Sequence, residues 1–200
     1  MRSINGRTLA VGGKRMLVRI QPCKSHFNTR KIFMTYIMVD VEADGPVPGL
    51  YSMVSFGAIA VEPALDKTFY TTIKPISDKW IPEALAVSGF TRQQTEGFAD
   101  PAAEMLKFAE WLSGIHKPMF ISDNNGFDWG FINWYFHKFL DKNPFGHSST
   151  NLGSLYKGME KSVFVNFKHL RKTKHTHNAL DDARGNAEAL LAMKAMGLKI

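Results

Sequence analysis

The pattern of hydrophobic and polar residues predicts strands in the first half of the domain and mostly helices in the second. Three segments rich in β-branched and aromatic residues follow one another, separated by turns that contain Gly and Pro, and a fourth apolar run comes later. The first three predict an antiparallel meander, because short connections join neighbouring strands most simply. The predicted strands cover residues 35–41, 51–61, 68–73 and 118–121.

Helical spacing and start signals predict four helices. Asp100 and Pro101 mark the start of the second one, since Asp is favoured at the N-cap and Pro at the first helical position. Residues 143–150 are predicted as a loop and residues 152–170 as one or two short helical pieces. Strands followed by helix, strand and helix are typical of a layered α/β or α+β domain. The predicted helices cover residues 82–86, 100–113, 127–140 and 178–196.

Charge divides the chain near residue 33. The formal net charge is +7, but eight of the 25 Lys and Arg residues and none of the 18 Asp and Glu residues lie in residues 1–33. The remainder therefore has a net charge of −1, and the global charge says nothing about the ligand of the domain. We expect residues 1–33 to be a basic, disordered leader and residues 34–200 to be the domain. A basic arm that binds phosphate is the alternative for the leader.

Cysteine usage and hydropathy exclude some classes of protein. The chain has one cysteine, Cys23, which cannot form a disulfide within the chain and favours a cytoplasmic protein. No window approaches the roughly 18 uninterrupted apolar residues of a membrane helix.

Two acidic residues end the first predicted strand. Side chains alternate along a strand, so Asp40 and Glu42 lie on one face, roughly 7 Å apart, opposite the apolar residues. Two carboxylates on a buried face repel each other and are costly to desolvate, and a divalent cation removes both problems. The alternative is a strand end that is exposed to solvent.

Two further acids and a histidine stand at helix starts. Asp128 falls in the first turn of an aromatic helix, where the helix dipole by itself favours an acid. Asp182 projects from the first turns of the last helix, away from its stripe of Leu and Ala. His177 directly precedes that helix, where the backbone is free to orient an imidazole. Each of these positions alone is also typical of an ordinary helix terminus.

Together these positions supply four carboxylates and one imidazole from three separate elements. The set fits the two-cation arrangement for phosphoryl transfer, with the ions roughly 3.5–4 Å apart. Carboxylate oxygens suit Mg²⁺ or Mn²⁺ better than zinc. His177 would accept the proton of the attacking water, since imidazole titrates near neutral pH. The histidines of segment 166–177 favour a zinc site less, because no cysteine or glutamate completes one at a familiar spacing.

Three segments resemble the motifs of the DEDDh 3′–5′ exonucleases, in the same order. Residues 40–45 resemble DxExxG, residues 124–128 resemble NxxFD, and residues 177–183 resemble HxALxDA. The turn at residues 82–91 also matches, and the resemblance covers about residues 34–194. The sequence departs from the family pattern at four positions outside the metal ligands, which are Ala43, Asp44, Ser88 and Asp123.

The resemblance implies a ribonuclease H-like α/β fold with a mixed five-stranded sheet flanked by helices. It also implies two Mg²⁺ (or Mn²⁺) ions and His177 as the general base. Asp181 falls outside the pattern, because the family's acid lies five residues after the histidine, and we expect it to pair with Arg184 at the surface. The implied metal ligands are Asp40, Glu42, Asp128 and Asp182.

The function implied by the resemblance is metal-dependent hydrolysis at the 3′ end of a single-stranded nucleic acid, releasing nucleoside 5′-monophosphates. The alternative is a module on the same fold that binds strand ends without cutting them. A basic cluster before His177 is expected to guide the strand, with a solvated loop as an equal alternative. RNA is slightly favoured over DNA, because no partner-binding domain accompanies the nuclease segment. The candidate nucleic-acid-binding residues are Asn124, Phe127, Lys168, Arg171 and Lys174.

Overall fold

A computed structural model describes residues 34–200, which form a mixed five-stranded sheet with helices on both faces. The prediction of a basic leader falls on residues 1–33, outside the described residues. The five strands confirm the predicted α/β architecture. They are β1 (Thr35–Ala43), β2 (Met53–Ala60), β3 (Thr68–Thr72), β4 (Pro118–Ser122) and β5 (Ser149–Asn151).

Strand β1 lies at the centre of the sheet, whose order is β3-β2-β1-β4-β5. It pairs with β2 in the antiparallel sense, and β2 pairs with β3 in the same way, which confirms the predicted meander. On its other side β1 pairs with β4 in the parallel sense. That pairing ends where Met38 faces Ile121, while β1 continues to Ala43. The carboxyl end of β1 therefore extends beyond its partner β4.

The edge strand β5 begins at Ser149, at the end of residues 143–150, where the sequence predicts a loop. Its residues pair with residues 120–122 of β4. All three are polar and only partly buried. Main-chain pairing rather than an apolar face holds this strand, so it leaves no alternating pattern in the sequence.

Six α-helices and one 3₁₀ helix surround the sheet in residues 34–200, and none is long and apolar enough to cross a membrane. The α-helices are α1 (Pro82–Val87), α2 (Arg92–Glu96), α3 (Pro101–Ser113), α4 (Asn125–Leu140), α5 (Leu152–Met159) and α6 (Ala179–Ala195), and the 3₁₀ helix is Lys168–Leu170. Helix α2 follows the predicted turn at residues 88–91, in a segment for which the sequence predicts no element. It forms because Thr91 and Gln94 make a capping box that satisfies the free amides of its first turn.

The two faces of β1 contact different helices. Ile37, Val39 and Val41 pack against α3 and α4, whose aromatic side chains fill that side of the core. Tyr36 and Met38 point to the other face, where α5 and α6 pack. Because side chains alternate along a strand, the positions that follow Met38 on this second face are Asp40 and Glu42. The main contributors from α3 and α4 are Phe108, Phe131, Tyr135 and Phe136.

Gly57 of β2 lies directly beneath the start of α6. A Cβ atom at this position would lie 2.5 Å from the main-chain N and Cα of Leu180. Gly57 pairs with Asp40 across the sheet, so this close approach brings the first turn of α6 over the strand that carries the carboxylates. Ala183 and Ala187, both fully buried, continue the contact along the helix.

Replacing Gly57 with alanine should destabilise the domain by roughly 1–3 kcal/mol, the usual effect of overfilling a packed contact. The added methyl group would meet main-chain atoms, which move less freely than the end of a side chain. Urea unfolding measures the change. The matched control is Gly130→Ala in α4, where a Cβ meets no atom within 4 Å and alanine should stabilise the helix by roughly 0.5–1 kcal/mol. Equal unfolding midpoints for the two variants would contradict the close contact.

Candidate active site

Two elements meet at the carboxyl end of β1. Because β1 and β4 are parallel, their carboxyl ends lie at the same edge of the sheet, and α4 begins there directly after β4. Asp128 in the first turn of α4 is buried, and its Oδ1 accepts the main-chain N–H of Val41 at 3.2 Å. This hydrogen bond ties the start of α4 to the strand that carries Asp40 and Glu42.

Helix α6 supplies the fourth carboxylate. Asn178 caps the helix, and its side chain accepts the main-chain N–H groups of Leu180 and Asp181. Asp182 follows in the first turn with 1% of its surface exposed. The cap and the contact with Gly57 together determine where this buried carboxylate lies.

Three hydrogen-bond donors and the imidazole of His175 surround the carboxylate of Asp182. Its Oδ1 lies 2.9 Å from Nη2 of Arg171, 2.8 Å from Nδ1 of His175 and 3.2 Å from the main-chain N of Thr176. Its Oδ2 accepts the main-chain N–H of His177 at 2.9 Å. The loop before α6 therefore folds around this one side chain.

The same loop is fastened to α6 further along the helix. Glu188 accepts the main-chain N–H groups of Lys172 and Thr173, at 2.8 and 2.7 Å. Burial raises the pKa of Glu188, but these hydrogen bonds outweigh it, so the pKa is lowered overall. Gly185 leaves room for the Arg171 side chain, because a Cβ at that position would collide with the guanidinium group.

The carboxylates predicted from the sequence converge. Asp40, Glu42 and Asp182 each offer an oxygen atom, and these atoms lie within 4.8 Å of one another. Oδ1 of Asp128 is hydrogen-bonded to the main chain of Val41, the residue after Asp40, so the fourth acid lies near this strand end, and its charge raises the pKa of Asp40. All four acids thus border one small volume between β1, α4 and α6.

Burial and mutual repulsion disfavour the ionised forms of Asp40, Glu42 and Asp128. Burial, followed by the charge of Asp128, raises the pKa of Asp40 well above its usual range. Burial and then the charge of Asp182 raise the pKa of Glu42 to about 7. Burial raises the pKa of Asp128 to about 8. A positive charge bound among these carboxylates would reverse the effect.

The donor set fits a divalent cation. Oδ2 of Asp128 is buried and has no hydrogen-bond partner among the described residues, which is unfavourable for a carboxylate oxygen. The acids that border the volume offer only oxygen atoms, the ligands that Mg²⁺ and Mn²⁺ prefer. The residues present therefore match a hard divalent cation.

His177 lies at the entrance to α6 with an unusual backbone. Its φ is +58°, in the left-handed region that residues other than glycine seldom adopt. Its N–H is bound to Asp182, while its side chain is exposed. Its ring centroid lies 4.1 Å from that of His175. This conformation presents an accessible imidazole next to a buried carboxylate.

One expected surface pair does not form among the described residues. Asp181 accepts a hydrogen bond from Oγ1 of Thr176 rather than an ion pair from Arg184. Arg184 instead donates to the main-chain oxygen of Leu65, 3.1 Å away. Leu65 is distant in sequence, so local spacing could not predict this contact.

The candidate nucleic-acid-binding residues occupy different settings. Asn124 is exposed at the start of α4, and Phe127 is half-buried, with its ring 4.9 Å from that of Phe131. Lys168 and Lys174 are exposed on the loop before α6. Arg171 is almost buried and is bound to Asp182.

A second ion pair, which the sequence did not indicate, lies behind the first motif. Asp44 is fully buried. Its carboxylate accepts a hydrogen bond from Nη1 of Arg92 at 3.0 Å and another from the main-chain N–H of Ser52. The same guanidinium donates to the main-chain oxygen of Ser77 at 2.8 Å. Asp44 thus connects the end of β1 to α2, although 48 positions separate the two charges.

Without a metal ion, the protein should lose stability as the pH rises. An acid whose pKa is higher in the folded state keeps its proton longer there, so stability falls between the unfolded and folded pKa values. The free energy of unfolding should fall between pH 4.5 and about 7 because of Glu42, and between pH 3.8 and about 8 because of Asp128. Urea midpoints in EDTA should fall from about pH 5 to about pH 8, and Mg²⁺ should reverse the fall. In Asp128→Asn the urea midpoint should depend less on pH. An unchanged dependence in that variant would refute the raised pKa of Asp128.

Known proteins have sequences similar to this chain. The family model described as Exonuclease (RNase_T) matches residues 37–190, more than half of the chain. The 3′–5′ DNA exonuclease Cap18 of Escherichia coli is 39% identical over 167 residues, which cover 76% of this chain and 88% of that protein.

Solved structures share the fold at lower identity. The nuclease domain of 3′hExo, a DEDDh family member bound to rAMP, has a TM-score of 0.68 at 16% identity, covering 83% of this chain and 94% of that one. Cell-death related nuclease 4 (CRN-4) has a TM-score of 0.67 at 18% identity, covering 82% of this chain and 65% of that one. The family model and the E. coli relative show that this chain belongs to the RNase T exonuclease family, which confirms the resemblance to DEDDh 3′–5′ exonucleases.

Proposed function

We propose that this chain is a metal-dependent 3′–5′ exonuclease that acts on single strands, with DNA as the preferred substrate. The observation that carries the proposal is the convergence of Asp40, Glu42 and Asp182 within 4.8 Å, beside the buried Asp128. Clustered acids destabilise a fold unless they bind a cation. In a member of an exonuclease family, the use for such a cluster is phosphodiester hydrolysis.

Two divalent cations, Mg²⁺ or Mn²⁺, are the proposed cofactors, and the proposed ligands are Asp40, Glu42, Asp128 and Asp182. When bound, the cations supply positive charge to the attacking and leaving oxygens of the phosphodiester. The protein's part is to hold its carboxylates in place. The amide of Val41 does this for Asp128, and the guanidinium of Arg171 does it for Asp182.

His177 is the proposed general base. Its main chain is anchored to Asp182 while its imidazole is open to incoming water. The imidazole would accept one proton of the attacking water as the new P–O bond forms and the bond from phosphorus to the 3′ oxygen breaks. Once the leaving 3′ oxygen has taken a proton from solvent, the products are a nucleoside 5′-monophosphate and a strand with a new 3′-hydroxyl end.

The preference for DNA is supported by Cap18, which is named as a DNA exonuclease and of which this chain spans 88%. RNA, slightly favoured by the sequence, is the alternative. A protein distinguishes the two by contacts with the 2′-hydroxyl. Matched DNA and RNA strands therefore decide between them.

Strand contacts are proposed on both sides of the carboxylates. Lys168 and Lys174 are exposed and can reach phosphates, while Asn124 and Phe127 lie one turn or less before Asp128. The guanidinium of Arg171 already binds Asp182, so a phosphate that contacted Arg171 would compete with that carboxylate. We therefore propose the lysines as the main contacts with the backbone of the strand.

The cellular compartment stays a prediction. Cys23 is the single cysteine, which supports a reducing, cytoplasmic environment.

Replacing Asp182 with asparagine should abolish Mg²⁺-dependent shortening of a 5′-labelled single strand. The loss should reach at least about a thousandfold, because metal stabilisation of the transition state is worth several kcal/mol. Asp181→Asn is the matched control and should cut at the wild-type rate. The wild-type protein should shorten DNA faster than RNA of the same sequence. Equal rates for Asp182→Asn and wild type would refute the site, and strand binding without any product would support the end-binding alternative.

Replacing both Lys168 and Lys174 with glutamine should raise KM and leave kcat nearly unchanged, because phosphate contacts contribute to binding rather than to chemistry. The slope of the logarithm of the strand-binding constant against the logarithm of salt concentration should become shallower by roughly 0.7 for each lysine that neutralises a phosphate in the wild-type protein. The control, Lys142→Gln with Lys199→Gln, removes the same charge from exposed positions elsewhere. If both double variants change KM equally, net charge rather than these two positions guides the strand.

A further inference from the structure

The outer side of Asp182 carries a second cluster of possible metal ligands, distinct from the carboxylate cluster on its inner side. His175, His177 and Asp182 each offer one ligand atom, and these atoms lie within 4.8 Å of one another. Both histidines are exposed, whereas Asp182 is buried. Solvent therefore reaches this cluster directly.

The distances are close to those around a single tetrahedral ion. Atoms bound to one zinc ion at about 2.0–2.1 Å lie about 3.3 Å apart. Nδ1 of His175 and Oδ1 of Asp182 are now 2.8 Å apart, so they need to separate by only about half an ångström. His177, two residues along the chain, has its ring centroid 4.1 Å from that of His175. The ligand nitrogen of His177 lies within 4.8 Å of the other two ligand atoms and would need to approach them to about 3.3 Å to complete three ligands.

The chemistry of this cluster differs from that of the inner site. Imidazole nitrogens prefer zinc and similar transition metals, whereas oxygen-only sets suit Mg²⁺ and Mn²⁺. Two histidines and one carboxylate, with a fourth position open to water, form an ordinary zinc ligand set. The family motif links His177 with Asp182, whereas the contact of His175 with the same carboxylate depends on the path of the loop before α6.

We propose that His175, His177 and Asp182 form a zinc-binding site that inhibits the Mg²⁺-dependent reaction. A zinc ion bound there would coordinate the imidazole of the proposed base, which could then no longer accept a proton. It would also bind the carboxylate of Asp182, which is a proposed ligand of the inner site. The inhibition rests on the proposed function, whereas the binding of zinc does not. The site belongs to this chain's own His-Thr-His segment before α6.

Calorimetric titration of the full chain with Zn²⁺ in saturating Mg²⁺ tests the binding. Wild type should bind zinc at least about a hundredfold more tightly than His175→Gln, because loss of a ligand should exceed the 10–100-fold effect of losing a ligand's outer hydrogen-bond partner. His147→Gln, at an exposed histidine in another loop, should bind like wild type. Asp40→Asn, which disrupts the inner carboxylates only, should retain the tight site. Circular dichroism checks that each variant is folded.

Two results of the titration would overturn the proposal. One is equal zinc affinity in wild type and His175→Gln. The other is loss of tight binding in Asp40→Asn together with its retention in His175→Gln, which would assign zinc to the inner carboxylates.

Inhibition is measured on the same proteins as DNA shortening in Mg²⁺ with increasing Zn²⁺, each rate relative to the same variant without zinc. The half-inhibitory zinc concentration should rise at least about tenfold in His175→Gln and stay unchanged in His147→Gln. Identical inhibition of all three proteins would refute the regulatory role. If wild type binds zinc through His175 but cuts no strand under any condition, the proposed function fails while the zinc site stands.

Discussion

Like charges held in a small, poorly hydrated volume are the constraint on which the rest of this domain depends. Burial and mutual repulsion raise the pKa values of Asp40, Glu42 and Asp128, so the fold keeps these acids where their own ionisation is disfavoured. Such an arrangement persists only where the surrounding packing is strong enough to impose it. The apolar layers on both faces of the sheet supply that packing. A divalent cation bound among these acids would offset their mutual repulsion.

Asp182 is the residue at which the separate parts of the site meet. Gly57 lets α6 approach the sheet closely enough for this carboxylate to reach the strand acids. Arg171 and the amide of His177 fix its two oxygens, and Glu188 fastens the loop that supplies both groups. The proposed base and a proposed metal ligand are therefore positioned by the same short segment. Movement of this loop would change both at once.

Asp182 is also common to the proposed active site and the proposed zinc site. On its inner side the neighbours are carboxylates, and on its outer side they are His175 and His177. Hard and borderline cations favour these two sides differently. A carboxylate common to both sets cannot serve both without a change in geometry. Competition between metals thus follows from a single shared side chain.

By itself the sequence determined the central strand, the main helices and the residues that we propose carry the chemistry. Asp40, Glu42, Asp128, Asp182 and His177 stand at strand ends and helix starts, and these boundaries leave local signals such as alternation and helix caps. A family resemblance then joined three local patterns into one function. Nothing beyond neighbouring residues was needed to recognise each part.

Only the tertiary structure decided how these parts touch. The strand β5, the contact of Gly57 with α6 and the ion pair of Asp44 with Arg92 join segments that lie far apart along the chain. The grouping of Arg171 and His175 around one carboxylate oxygen depends on the path of a loop. Such contacts arise from the path of the folded chain and from close main-chain packing. Spacing along the sequence carries no record of either, because the same residues at the same intervals are compatible with many loop paths.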